Sequence, residues 1–199
     1  MHERFLDMLY AANETMNLTA VPREEALVRH IEDSLRVVAH IPEGARLAID
    51  IGSGAGLPGI PLAIARPEIE WVLLESRAKR CDFLRSVVDE LGLNASAVCG
   101  RAEELGRDVA HRERYELAVA RALAPLPIAL ELAAPLLKVG GVAILHNRDR
   151  GLPEGIREPL KGELSRLDDE LVRFLKIGAT DSKYPRRWAA MERSPLGAV

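Results

Sequence analysis

The chain has 199 residues, a formal net charge of −3, 48% hydrophobic and 29% charged residues. That length suffices for one substantial core, and the hydrophobic share excludes a globally disordered chain. The acidic balance excludes broad electrostatic coating of nucleic acid, while leaving room for a local basic face.

The longest apolar runs, such as Leu47–Ile51 and Trp71–Leu74, fall far short of the roughly 18 residues of a membrane span. The start, Met1-His2-Glu3-Arg4, leads into an amphipathic segment and not into a secretion signal, so a cytoplasmic location is expected. Cys81 and Cys99 are too few for a disulfide framework and lack metal-ligand spacing; both are expected in the core.

Residues 2–40 read as helical. Phe5, Leu6, Leu9 and Tyr10 recur at helical spacing, as do Ala26, Leu27, His30, Ile31, Ser34, Leu35 and Val38, with Asn13–Pro22 as a polar connector. From Leu47 the pattern changes to short apolar runs: Leu47–Ile51, Trp71–Leu74, Ala95–Cys99, Leu117–Ala120 and Gly141–Leu145. Helical stretches fall between them, at Ile60–Ala65, Arg77–Leu91, Ala102–Ala110 and Pro125–Leu137. Continuously apolar strands alternating with helices predict an α/β, Rossmann-like fold, a mostly parallel sheet covered on both faces. Lys138-Val139-Gly140-Gly141 reads as a turn before the fifth strand. Glu163–Leu167 and Leu171–Ile177 read as an antiparallel edge hairpin turning at Asp168-Asp169. The basic, proline-bearing tail, residues 181–199, carries no secondary-structure expectation. One domain over residues 1–199, with an N-terminal helical extension over 1–40, is the economical organisation.

The strongest local signal is the strand Leu47–Ile51 running into Gly52-Ser53-Gly54-Ala55-Gly56-Leu57-Pro58-Gly59. Glycines let the chain turn sharply and let a ligand approach the backbone without obstruction, and Pro58 suits a helix start. Gly54-x-Gly56-x-x-Gly59 also fits a dinucleotide fingerprint, so the loop alone does not separate a nicotinamide cofactor from S-adenosylmethionine. Its surroundings favour the latter. Asp50 stands where an ammonium group would meet an acid. Glu75 ends the second strand, where a carboxylate accepts ribose hydroxyls. Ala102 and Glu103 follow the third strand, and Arg121 follows the fourth, all at the carboxyl edge where open α/β sheets bind ligands. A dinucleotide dehydrogenase would need a second mononucleotide half and a substrate domain, for which little chain remains.

These residues together resemble the RsmG/GidB family, bacterial 16S ribosomal RNA guanine-N7 methyltransferases. The resemblance is carried by Asn17-Leu18-Thr19, His30-x-x-Asp33-Ser34-Leu35, the run from Asp50 to Pro61 and Leu74-Glu75-Ser76. It continues through Lys79-Arg80-x-x-Phe83-Leu84, the run Gly100–Glu104, Arg121-Ala122 and Pro135–Gly141, with Tyr184-Pro185-Arg186-Arg187 in the tail. It implies a class I fold with S-adenosylmethionine as cofactor. Contacts are implied at Gly52, Leu57, Ala102, Glu103 and Arg121, with Glu75 where the family generally has aspartate; Gly54 and Gly56 join them from the loop reading. The implied partner is 16S ribosomal RNA or a small-subunit particle, with no metal or membrane, and the expected state is a monomer.

The chain departs from the family pattern at Leu145-His146-Asn147-Arg148, where a Lys-Gly pair is usual, in a short stretch from Asn147 to Glu170, and at Trp188-Ala189-Ala190-Met191. All three lie on the expected substrate side. Guanine N7 carries a lone pair and needs no deprotonation, which agrees with the lack of a convincing nucleophile; no catalytic residue is assigned. His30 and Asp33 share a helix face, and an ordinary surface pair, a brace against the Asn17 loop, or contact with cofactor or base all remain open. Phosphate contacts would come from Arg77, Lys79, Arg80, Arg148, Arg150, Lys183, Arg186, Arg187 and Arg193, although for each cluster taken alone a solvated charged face is the commoner explanation. Trp188 would stack on an unpaired base or anchor the tail. A small-molecule or protein methyltransferase, and a non-catalytic cofactor-binding relative, are the alternatives.

Overall fold

A computed structural model describes residues 1–149 and 151–197; the expected phosphate contact at Arg150 lies outside them. The strands are β1 (Leu47–Ile51), β2 (Glu70–Glu75), β3 (Ala95–Cys99), β4 (Tyr115–Ala120), β5 (Leu137–His146), β6 (Gly162–Arg166) and β7 (Leu171–Lys176). They form one sheet in the order β3-β2-β1-β4-β5-β7-β6. The first five are parallel, and β7 pairs antiparallel with both β5 and β6. The expected edge hairpin is therefore present, and its turn is held by the Asp168 carboxylate, which accepts the N–H groups of Glu170 and Leu171.

Both faces of the central strands are buried, which is why they read as continuous apolar runs. Ile49, Ile51, Leu74 and Ala118 pack on the side of α6 (Leu126–Ala133). Ala48, Trp71, Leu117 and Val119 pack on the opposite side. There α3 (Gly59–Ala65), α4 (Ala78–Leu91) and α1 (His2–Met16) cover the sheet with Ile60, Leu84, Phe5 and Leu9.

Several boundaries differ from expectation. Helix α1 runs through the first residues of the supposed connector to Met16, where Asn17 stops it in a left-handed conformation with φ 51°. The remaining N-terminal segment is helical but irregular: 3-10 turns at Arg23–Glu25 and Arg36–His40 flank a π-helical stretch, Leu27–Glu32, and α2 (Asp33–Leu35). Helix α5 is only Ala102–Leu105. Gly106 is a poor helix former, and the Asp108 side chain takes the Ala110 N–H for a local turn instead. Helix α6 ends at Ala133, just before the helix-breaking Pro135.

The expected turn at residues 138–141 lies inside β5. Its backbone pairs Leu137 with Tyr115, then slips register before Val142 meets Leu117. Gly140, with φ 85°, provides the left-handed residue that this irregularity needs. Of the two cysteines expected in the core, one is there and one is not. Cys81 is fully buried, but Cys99 lies exposed on the edge strand β3, and the two form a disulfide.

Two ion pairs, each with one buried and one part-exposed member, fasten the C-terminal third. Lys176, fully enclosed, donates to Glu113 Oε1 at 2.7 Å and to the carbonyls of Ala134 at 2.9 Å and Leu137 at 2.6 Å. All three ammonium protons are thereby used, while burial holds the lysine below its ordinary pKa. Beyond the short helix α7 (Arg157–Leu160), α8 (Trp188–Arg193) in the tail seats Met191 in the core. Arg186, two residues before it, makes a two-pronged contact with the buried carboxylate of Glu131, at 2.8 and 2.6 Å.

Candidate functional site

The glycine loop is pinned where β1 ends. The N–H groups of Gly52 and Ser53 both donate to the Leu74 carbonyl, at 2.8 and 2.9 Å. Gly52, Gly54 and Gly56 all have positive φ, of 73°, 56° and 88°, a backbone path that side chains rarely follow. The loop does not present a uniform face. Gly52 and Gly54 remain partly exposed, whereas Gly56 and Leu57 turn inward against Ile60 and Leu84.

Glu75, at the end of β2 and almost fully buried, fixes the next part. Its Oε2 accepts the Gly54 N–H at 3.0 Å and its Oε1 accepts the Arg77 N–H at 2.8 Å. Ser76 Oγ also donates to Oε1, at 3.3 Å, so these bonds orient the carboxylate and leave acceptor capacity on Oε2. Asp50, by contrast, does not reach the open edge. It is fully enclosed behind the loop, where Oδ2 accepts the Gly59 N–H at 3.0 Å; burial raises its pKa to about 7. The expected meeting with an ammonium group is replaced by a structural tie to the start of α3.

A cavity of about 280 Å³ opens beside the loop, lined by Gly52, Ser76, Gly100, Ala102, Glu103 and Leu123 among others. Arg77 and Trp188 also line it. A second cavity, about 570 Å³, lies next along the carboxyl edge and holds Arg121, His30, Asp33, His146 and Arg148. Ala122, with φ 53°, turns the backbone so that Arg121 serves the larger cavity and Leu123 the smaller. The left-handed conformation is uncommon for a residue with a Cβ, and such strain clusters at functional sites. The expected cofactor residues thus divide. Gly52, Ala102 and Glu103 line the smaller cavity, whereas Gly54 and Glu75 do not line it and are bonded to each other beside its lining residues Gly52, Leu74 and Ser76; Arg121 belongs to the larger, and Gly56 and Leu57 lie underneath.

In the larger cavity Arg121 donates to Asp33 Oδ2 at 2.9 Å and to the Arg29 carbonyl at 3.2 Å. Its Nη2 lies 3.4 Å from His30 Nδ1, while His30 Nε2 lies 2.8 Å from Thr19 Oγ1. An arginine only donates, so Nδ1 is the acceptor and the ring proton sits on Nε2, shared with Thr19. Of the readings left open for His30, the brace against the Asn17 loop is realised, and the same ring touches Arg121. Burial, with Arg121 nearby, lowers its pKa to about 4, so the ring is neutral. His146, the departure at the end of β5, sets Nε2 3.4 Å from the Asp33 carbonyl, and burial lowers its pKa too. The π-helical stretch containing His30 is a local irregularity of the kind often found at functional sites.

The basic clusters separate. Arg77 lines the smaller cavity and Arg148 the larger. Arg186 is committed to Glu131, and Lys183 lies 3.6 Å from Asp181. Exposed Lys79, Arg187 and Arg193 line neither of these two cavities, and Arg80 is partly buried beside Gly54. Leu123 carries no sequence signal, and Ser76 stands in the Leu74-Glu75-Ser76 motif with no site role expected of it. Sequence reasoning leaves His146 as a departure and Trp188 between two roles, neither of them at the smaller cavity.

The residues present suit S-adenosylmethionine: a side-chain-free backbone beside a cavity, and a buried, oriented carboxylate with acceptor capacity to spare. Together with the sheet order, they define a Rossmann-like class I S-adenosylmethionine-dependent methyltransferase. Solved structures share the architecture at low identity. A methyltransferase from Geobacter sulfurreducens superposes with a TM-score of 0.59 at 14% identity, covering 88% of this chain and 89% of its own. A MtNAS variant in complex with S-adenosylmethionine gives 0.58 at 12%, covering 87% and 73%.

Sequence relatives carry the assignment further. The family profile for GidB, rRNA small subunit methyltransferase G, matches residues 1–155. The ribosomal RNA small subunit methyltransferase G of a Thermoanaerobacter species is 39% identical, covering 98% of this chain and 88% of its own length. That of Deinococcus radiodurans is 40% identical, covering 97% and 83%. The chain belongs to the rRNA small subunit methyltransferase G family.

Proposed function

We propose that this protein transfers a methyl group from S-adenosylmethionine to N7 of a guanine in 16S ribosomal RNA, in the cytoplasm. The observation that carries the reading is the adjacency of the two cavities. One is lined by Gly52, Leu74 and Ser76, beside the Gly54–Glu75 bond; the other is built on Arg121, and the consecutive residues Ala122 and Leu123 line the larger and the smaller respectively.

In this reading Glu75 accepts the ribose hydroxyls, the Gly52–Gly54 backbone passes close to the cofactor, and Ala102 and Glu103 border the adenine. Gly56 and Leu57 support the loop from behind, and Arg121 pairs with the carboxylate of the methionine portion. Bound S-adenosylmethionine supplies a methyl group activated by a positively charged sulfur. The N7 lone pair forms the new bond to carbon as the sulfur–carbon bond breaks, so S-adenosylhomocysteine leaves and the base takes the positive charge. No proton has to be removed first. The chain's contribution is orientation and exclusion of water, and the neutral rings of His30 and His146 add no positive charge beside the acceptor. The N-terminal helices and the tail act with the sheet as one unit, because His30 meets Arg121 and Arg186 meets Glu131.

The test is transfer of label from S-adenosylmethionine to undermethylated small-subunit RNA, with the product mapped to a guanine. Binding should weaken steeply as salt rises, because phosphate contacts release counterions. Cofactor binding without label at any guanine refutes the RNA assignment, and salt-insensitive transfer to another acceptor points to a small-molecule or protein substrate.

A further inference from the structure

The smaller cavity has one wall that does not come from the methyltransferase sheet. Trp188, the first residue of α8, lines it together with Gly100, Ala102 and Leu132. On its other side the same indole lines a charged groove of about 640 Å³, with Arg101, Arg107 and Arg187. Trp188 therefore stands between the cavity and the outside.

Its position is fixed from both directions along the chain. Two residues earlier, the Arg186 N–H donates to Glu131 Oε1 at 2.8 Å, and the guanidinium grips the same buried carboxylate. Three residues later, on the same face of α8, Met191 is fully buried. The Arg101 guanidinium lies 6.0 Å from the indole centroid and is itself held by Glu103 at 2.7 Å. Yet Trp188 is only half-buried. A rigidly held aromatic face left open at a cavity mouth suits a flat ring system, which covers it by stacking.

We propose that Trp188 is the outer wall of an adenine subsite, so that the C-terminal tail completes the cofactor cavity. This rests on the proposed function, which assigns that cavity to the cofactor. The adenine lies between the strand-end segment Gly100–Glu103 and the indole, and the tail reports directly on occupancy.

The chain has two tryptophans, and the other, Trp71, is fully buried in β2. Intrinsic fluorescence therefore isolates the proposed contact. Titration of the whole protein with S-adenosylmethionine or 5′-methylthioadenosine should quench emission, and Trp188→Phe should remove that quenching while keeping affinity within about threefold, because phenyl still stacks. Trp188→Ala should weaken both ligands by about tenfold, at the lower end of what base–aromatic stacking contributes. Thermal melting checks that the variants fold; if the alanine variant does not, wild-type quenching and Trp188→Phe carry the test. Calorimetric binding with unchanged emission, or wild-type affinity in Trp188→Ala, overturns the proposal while leaving the cofactor site in place. Quenching by RNA but not by the cofactor overturns it in favour of an acceptor-base platform. A wild-type protein that binds neither ligand removes the cavity's assignment and this proposal together.

Discussion

Arg121 and Asp33 meet at 2.9 Å, each about one-fifth exposed, and join the loop after β4 to the N-terminal helices. Asp33 is also held by Arg36 at 3.2 Å, and Arg36 in turn reaches Glu170 at 2.6 Å beside the edge hairpin. One chain of charges thus ties the larger cavity's three borders together, and Arg121 is its member nearest to the glycine loop.

Arg121→Ala should separate the two halves of the cofactor. S-Adenosylmethionine and S-adenosylhomocysteine should bind roughly tenfold or more weakly, in line with the ~1.5–3 kcal/mol of a hydrogen bond to a charged group. Methylthioadenosine, which has no carboxylate, should be affected by less than about twofold. Calorimetry with the three ligands checks this, and equal losses for all would refute the assigned role.

Glu75→Gln keeps the size of the side chain but loses its charge and half its acceptors. One of the N–H groups of Gly54 and Arg77 then faces an amide donor. Affinity for S-adenosylmethionine should fall by about 10–100-fold, with a stability loss of ~1 kcal/mol in chemical denaturation. A variant that binds as wild type would remove Glu75 from the site.

His30 should make stability depend on pH. Its folded pKa of about 4 lies below the ordinary 6.5, so the unfolded chain takes up the proton first. Its contribution is complete above about 6.5 and is lost as pH falls toward 4. Asp50 acts in the opposite sense, since its raised value of about 7 makes its contribution decline as pH rises from 3.8. The comparison of wild type with His30→Gln cancels Asp50. Between pH 7.5 and 5 the wild type should lose ~1–2 kcal/mol more than the variant, measured by urea denaturation at each pH.

Arg186→Met and Lys176→Met should each cost ~3 kcal/mol or more, because each leaves a carboxylate without its partner in a dry or half-dry setting. Thermal melting measures this. RNA affinity corrected for the folded fraction should be unchanged in Arg186→Met, since that guanidinium is committed to Glu131 and not to phosphate.

The parallel sheet and the glycine loop were legible because their signals are local. Buried strands show as unbroken apolar runs, and a turn from β1 into α3 needs glycine. The edge hairpin was legible for the same reason, with Asp168 beside its turn. What the sequence did not show depends on distant partners. Asp50 reads as an acid facing a ligand until Gly59 is seen to hold it inward. The turn at Lys138–Gly141 becomes strand only because Tyr115 is there to pair with Leu137. Arg186 looks like any tail arginine until Glu131, 55 residues away, proves to be buried beneath it. The split of Arg121 from the glycine-loop cavity arises from the backbone angle of Ala122, which no composition or spacing announces.

The two carboxylates, part-exposed Glu113 and enclosed Glu131, also set a timetable. Each is made well before the lysine or arginine that neutralises it, and Lys176 arrives only with β7 itself, which lies between β5 and β6. During synthesis the Glu131 carboxylate therefore has no partner for its interior position until Arg186 is made, and the chain's own final segment is what allows that part of the core to close.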